Sequence, residues 1–358
     1  MMLRAPILLA LHLFSSGGIS TGAFAVSSDD LANFRLFAQY SAAAYCDNNN
    51  NNNNNTVTGN IHCLEGVCPV VEAAKPRTIA KFSKDDIRGF VAVDDTHRLL
   101  VVSFRGTNSV RNWLKNFRFW KVEMPGPSGI SGSEFEADKP QRGNDFCTCA
   151  IHAGFYESWQ LVKAEVLDAV TQARETYKDY KVVLTGHSLG GAIATIAGSH
   201  LRTMDIPCDI YSYGAPRIGD LRFAEFVSNQ PGWTVRITHG YDPVPTMPPM
   251  SLFGVYDLGY RHIWPEYWIS DSPTEGNETI QVCRGLENFS CDGAREAKFK
   301  LEIEDHRHYL GEISACGPKF SYRDLEETWS AEDLRRLDNL AINDILFANH
   351  FISDRDGA

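Results

Sequence analysis

The hydroxyl best surrounded for nucleophilic chemistry belongs to Ser188, in Gly186-His187-Ser188-Leu189-Gly190. A β-branched run from Lys181 to Thr185 precedes it, and small and apolar residues at helical spacing, Gly191 to Gly198, follow it. A chain that leaves a buried strand and enters a helix through so short a connection must turn sharply. The turn strains the backbone at its apex and projects the serine hydroxyl from the sheet edge. Gly186 and Gly190 leave room for strand and helix to approach each other. The N–H of Leu189 opens the helix and points to where negative charge would develop on an attacked carbonyl oxygen. A serine alone is a weak nucleophile; it needs a base, and the base needs a carboxylate to orient it. After a turn of this kind the partners follow in the order Asp, then His. Asp242 stands directly after the strand Thr234 to His239, which brings it to the same sheet edge. Four histidines come later, His262, His306, His308 and His350, and spacing alone does not choose among them.

The elements that must position these groups follow from hydrophobic periodicity. Residues 29–46 have helical spacing with an acidic start. Short β-branched runs at 89–95 and 98–107 read as strands. From residue 155 onward helix and strand alternate: helix 155–177, strand 181–186, helix 190–204, strand 209–216, helix 222–230, strand 234–239. Such alternation requires crossovers, and therefore a largely parallel sheet with helices on its faces. Gly126 to Asp145, rich in Gly, Pro, Ser and acidic residues, reads as a long loop. The eight asparagines from Asn48 to Asn55 read as a polar surface insert with nothing to bury.

Composition narrows the class. The chain has 358 residues, of which 43% are hydrophobic and 22% charged, with a net charge of −11. That balance argues against a nucleic-acid partner, which needs clustered Lys and Arg, and against electrostatic adsorption to anionic membranes. Residues 1–25 read as an export signal, with Arg4 as the positive end, an apolar core at 5–14 and a cleavage site at Ala23-Phe24-Ala25. No later run is apolar and long enough to cross a membrane. Export to an oxidising compartment favours disulfides among the nine cysteines over metal sites. Cys63 and Cys68, Cys283 and Cys291, and Cys147 and Cys149 are close in sequence; Cys46 and Cys316 remain as a long clasp, and Cys208 is odd. Asn54, Asn277 and Asn288 open glycosylation sequons.

With these features in view, the sequence resembles the secreted fungal class 3 lipases, of the Rhizomucor and Thermomyces type, especially filamentous-fungal members with a C-terminal tail. The resemblance runs from about Asp30 to Cys316 through FAQYSAAAYC, VVSFRGTNSVRNW, TGHSLGGAIATIAG, YSYGAPRIGD, RITHGYDPVPTMPP, RHIWPEYWI and DHRHYLGEISAC. It implies an α/β-hydrolase fold with a helical lid, as a signal peptide (1–25), a lipase domain (26–316) and a helical tail (317–358). The family's His-x-x-Tyr pattern puts the base on His306 in preference to His308, with Leu310 where an aromatic is common. Thr107 of Phe104-Arg-Gly-Thr matches the second oxyanion donor beside Leu189. Val110, Trp113, Leu114 and Phe117 fall at i, i+3, i+4 and i+7, one apolar helix face, and their place after Thr107 makes that helix the lid. The implied disulfides are Cys46–Cys316, Cys63–Cys68 and Cys283–Cys291. The family's remaining bridge spans Cys-x-x-Cys, and Cys147-Thr-Cys149 departs from it, at a separation that strains disulfide geometry.

The expected reaction is hydrolysis of triacylglycerol esters at a lipid interface, by a secreted monomer, through Ser188, Asp242 and His306, with no cofactor or metal. Phospholipase A1 and feruloyl esterase are the alternatives on the same fold, and an inactive lipid-binding protein is the more distant one. In the tail, Ser330 caps a stretch that places Leu334, Leu337, Ala341 and Ile345 on one side. That helix could dock on the core, cover the lipid-binding face or be removed by proteolysis.

Overall fold

The computed structural model describes residues 26–46, 59–107, 120–124, 147–270, 279–286, 291 and 303–316, and in the tail 332, 335, 339 and 342–344. Eight strands form the central sheet in the order β1 (Arg77–Lys84), β2 (Ile87–Asp94), β3 (Leu99–Phe104), β6 (Lys181–His187), β7 (Cys208–Tyr213), β8 (Thr234–His239), β11 (Glu266–Ile269) and β12 (Ile280–Cys283). The five strands from β3 to β11 in this order run parallel. β1, β2 and β12 are antiparallel to their neighbours. The parallel strands β3, β6, β7 and β8 are buried along almost their whole length because both faces are covered; β3 and β6 are mainly apolar, whereas β7 and β8 also bury polar side chains such as Asp209 and Arg236. Two short antiparallel pairs stand apart, β4 (Lys121–Glu123) with β5 (Ala150–His152), and β9 (Ser251–Leu252) with β10 (Tyr256–Asp257).

Alternation along each strand divides the core in two. On one face Val182, Leu184, Val102 and Ile210 pack against α3 (Ala153–Thr176), α4 (Leu189–Thr203) and α5 (Leu221–Asn229). On the other, Val101, Val183, Tyr211 and Val235 pack against α1 (Ser28–Ala43) and α2 (Pro69–Ala74). Ile193, Ile196 and Leu201 of α4 are fully buried, each contributing roughly 1.5–3 kcal/mol relative to exposure. The sequence expectation of a mostly parallel sheet between helices therefore holds, while β1, β11 and β12 were not expected from periodicity. Among the described residues no helix is long and apolar enough to cross a membrane.

Cysteines pair as Cys46–Cys316, Cys63–Cys68, Cys283–Cys291 and Cys147–Cys149. The last pair, left open by the sequence, is formed, and Cys208 is free and buried. Burial pushes its thiol up to about 11, which keeps it protonated and unreactive. The export segment, the asparagine run, the three sequons, the lid residues Val110, Trp113, Leu114 and Phe117, and Leu334, Leu337, Ala341, Ile345 and His350 lie outside the described residues.

Candidate active site

The parallel ladders bring several strand ends to one edge. Phe104 of β3 pairs with Gly186 of β6, His187 with Tyr213 of β7, and Tyr213 with Ile237 of β8. Residues just beyond those ends are therefore neighbours although far apart in sequence. Ser188 is the first residue past β6 and the N-cap of α4, at φ +57° and ψ −127°. A non-glycine residue in this conformation stores strain. Ser27, the N-cap of α1, accepts a hydrogen bond from the Asp30 N–H at 3.1 Å, as capping serines ordinarily do. Ser188 makes no such capping bond, so its hydroxyl is not committed to the helix. Its own N–H donates to the Tyr213 carbonyl at 2.9 Å, which fixes the turn against β7.

The turn is crowded. Gly186 and Gly190 lie against each other, and Gly190 also lies against the Phe104 carbonyl. At Gly106 a Cβ would sit 2.7 Å from the His187 carbonyl oxygen and 3.1 Å from Ser188 Cβ, so only glycine lets the end of β3 approach the serine this closely. Thr107 follows it, half-buried, at the same edge. Leu189 opens α4, where the first N–H groups have no intrahelical acceptor.

Asp242 lies three residues past the end of β8 and is completely buried. Its Oδ1 accepts the Val244 N–H at 2.8 Å, while Oδ2 faces His306 Nδ1 at 2.7 Å and accepts the Tyr309 hydroxyl. Gly214, at φ +53°, passes directly behind this carboxylate: a Cβ there would lie 2.8 Å from Asp242 Oδ2 and 2.8 Å from Tyr309 Oη. His306 belongs to the short helix α6 (Ile303–Arg307) and is 1% exposed. Among the described residues its buried Nε2 has no hydrogen-bond partner, although Nδ1 is held by a carboxylate. With Nδ1–H donated to Asp242, Nε2 carries the lone pair and is the atom able to take a proton.

His187 ties the serine turn to this histidine. Its ring lies 4.4 Å from that of His306, centroid to centroid. Nε2 donates to the His306 carbonyl at 2.7 Å, and Nδ1 accepts the Tyr45 hydroxyl at 2.7 Å. Burial, reinforced by the neighbouring His306, holds the His187 imidazole well below its ordinary value. It stays neutral, in the tautomer these two bonds require. Asp305 adds a latch on the other side: Oδ2 accepts the Tyr241 N–H at 2.7 Å, and its carbonyl faces His239 Nδ1 at 3.1 Å.

Of the residues singled out in the sequence, Ser188, Leu189, Thr107, Asp242 and His306 come together at one edge. The other described candidates for the base, His308 and His262, do not join them. His308 is exposed, with Nδ1 facing the Glu304 carbonyl at 2.9 Å. His262 Nε2 donates to the Pro245 carbonyl at 2.7 Å and braces the loop after Asp242. Sequence reasoning missed Tyr309, His187 and Tyr45. Tyr309 had a signal, since it is the tyrosine of the quoted His-x-x-Tyr segment. His187 and Tyr45 had none beyond membership of quoted motifs.

Residues 101–252 match the family model described as lipase (class 3). Over 302 residues the chain is 38% identical to a secreted mono- and diacylglycerol lipase of Fusarium solani, covering 83% of this chain and 80% of that one. A solved mono- and diacylglycerol lipase from Aspergillus oryzae superposes with a TM-score of 0.67 at 33% identity, covering 81% of this chain and 99% of that one. A solved triacylglycerol lipase whose catalytic centre is a serine protease triad superposes with a TM-score of 0.66 at 28% identity, covering 82% and 98%.

Proposed function

The chain belongs to the class 3 lipases and is a serine ester hydrolase of the α/β-hydrolase fold, and on that premise we propose that it is secreted and cleaves triacylglycerol esters with Ser188, His306 and Asp242. The observation that carries the residue assignment is the buried, unpartnered Nε2 of His306, with Nδ1 fixed by Asp242, beside a serine held at positive φ.

His306 Nε2 takes the Ser188 proton as Oγ attacks the ester carbonyl. Asp242 keeps the imidazole in the needed tautomer and stabilises the imidazolium. The N–H groups of Leu189 and Thr107, with the Thr107 hydroxyl, receive the charge on the tetrahedral oxygen; losing one such donor typically costs roughly 3–4 kcal/mol of transition-state stabilisation. His306 then protonates the departing alcohol, and water repeats the cycle on the acyl-enzyme. The apolar face of Val110, Trp113, Leu114 and Phe117 serves as the lid that meets lipid, and the protein acts as a monomer.

A second reading, preference for partial glycerides, is favoured by the Fusarium and Penicillium relatives named as mono- and diacylglycerol lipases. Emulsified triolein, diolein and phosphatidylcholine separate these readings, with Ser188→Ala as control. Release of oleate from triolein, abolished in the Ser188→Ala protein, is the expected result. Turnover of diolein alone would establish the partial-glyceride reading, and a fully active Ser188→Ala protein would overturn the mechanism.

A further inference from the structure

The C-terminal tail reaches the loop beside the site through the Asp344 carboxylate and the Asn343 carbonyl, which accepts the Ser251 hydroxyl at 3.3 Å. Its described residues Glu332, Arg335 and Asn339 are helical and exposed, whereas Asp344, in the helical segment 342–344, is 4% exposed. Asp344 Oδ2 accepts the Met250 N–H at 2.9 Å and Arg217 Nη1 at 3.0 Å. Oδ1 accepts the Ser251 N–H at 3.0 Å. Arg217, 6% exposed and just past β7, also donates Nη1 to the Thr246 and Pro248 carbonyls at 2.7 and 2.9 Å. Its amide N–H donates to the Met247 carbonyl at 2.7 Å.

These contacts grip residues 246–251 from both sides. That segment continues from the 3-10 turn Val244–Thr246, and the turn begins with the N–H that holds Asp242 Oδ1. An unbroken path therefore runs from Asp344 through Arg217 and the 246–251 backbone to Val244, Asp242 and His306 Nδ1. Among the described residues Asp344 is the only carboxylate in ion-pair contact with Arg217, whose guanidinium otherwise meets the neutral carbonyls of Thr246 and Pro248. A buried guanidinium without a counter-charge is strongly unfavourable, so withdrawing Asp344 would drive Arg217 toward water and release the carbonyls it holds. The Met250 and Ser251 N–H groups would lose their acceptor as well.

We propose that Asp344 is a positioning residue for the ester-hydrolysing site: docked on Arg217, it holds the 244–251 loop so that Asp242 stays aligned with His306. The tail then sustains turnover and does not mask the serine. This rests on the assignment of Asp242 and His306 made above. The two fail separately: an active Ser188→Ala protein would sink the mechanism, whereas the tail's role is read from variants at 344 in a chain with Ser188 intact.

The test uses the full chain and a water-soluble short-chain nitrophenyl ester, well below the melting temperature, with rates expressed per active site titrated by a fluorophosphonate. Asp344→Ala should lower kcat tenfold or more while KM stays within twofold. Asp344→Asn removes the charge with little change in shape, should lose at least threefold in kcat, and replaces the alanine variant if that does not fold. Combining Arg217→Gln with Asp344→Asn should cost no more than the worse single change, because both act through one loop. Full kcat per titrated site with only a lower melting temperature would reduce Asp344 to a stabilising clasp. A rise in kcat would mean that the tail masks the site. Either result overturns the proposal.

Discussion

The sheet carries the same two side-chain types, a tyrosine and a histidine, around a buried aspartate at each of its two edges. At one edge Asp242 takes the Tyr309 hydroxyl and His306 Nδ1 on Oδ2 and a backbone N–H on Oδ1. At the other, where β2 ends and β3 begins, Asp94 takes the Tyr40 hydroxyl at 2.7 Å and His97 Nδ1 at 2.6 Å on Oδ2, and the His97 N–H at 3.0 Å on Oδ1. Both carboxylates are completely buried. The difference lies in what surrounds the histidine. His306 is enclosed, with its far nitrogen unpartnered and its ring against that of His187, next to Ser188. The His97 side chain is 34% exposed and follows its aspartate by three residues in a surface turn. A His-Asp-Tyr set is thus an ordinary way to satisfy a buried carboxylate. It becomes chemistry only where parallel strands end beside a nucleophile on a strained turn.

Matched substitutions at the two edges test that contrast. Asp242→Asn should cut kcat roughly 10⁴-fold by imposing the wrong imidazole tautomer. Asp94→Asn should leave kcat unchanged and lower unfolding free energy by about 1–3 kcal/mol; kinetics and urea melts on the two proteins check the pair. If Asp94→Asn lost activity like Asp242→Asn, the edges would not differ in kind.

Removing the tyrosines should give a smaller split. Tyr309→Phe deletes one hydrogen bond to the working carboxylate, worth about 1.5 kcal/mol, so kcat should fall about tenfold. Tyr40→Phe should cost similar stability without touching kcat.

The smallest effect concerns acid. His200, beside Trp159 at 3.3 Å, is lowered to about 4 by burial and then by Lys163, and His187 is also held well below its ordinary value. The unfolded chain takes up these protons near pH 6.5 while the folded protein refuses them, so stability falls as pH drops from about 6.5 toward 4. The urea midpoint should be lower at pH 5 than at pH 7, and His200→Gln should narrow that gap.

Much of this arrangement was legible because its signals are local. The doubly buried strands β3 and β6 carry continuous apolar runs, Leu99–Val102 and Val182–Leu184, and the turn at Ser188 needs glycines within two residues on either side. Asp242 follows its strand closely enough that topology alone assigns it to the serine's edge. The histidine was not legible from spacing, because nothing in a lone His distinguishes His306 from His308; family resemblance chose between them. The Arg217–Asp344 contact was invisible, since the two lie 127 residues apart and each looks like a surface charge until packing buries it. β11 and β12 were missed for a related reason. They are four-residue strands, too short for alternation to declare itself; β11 is held by pairing with β8, and β12 by pairing with β11.

The Cys46–Cys316 bond has a topological consequence. Its separation of 270 residues closes the chain into a covalent ring that contains Thr107, Ser188, Asp242 and His306, with the tail as a free arm outside it. One backbone cut inside the ring leaves both pieces joined, whereas one cut in the arm leaves everything beyond it held only by noncovalent contacts. The carboxylate of Asp344 is therefore the part of this network that the protein can lose without breaking the ring that carries its chemistry.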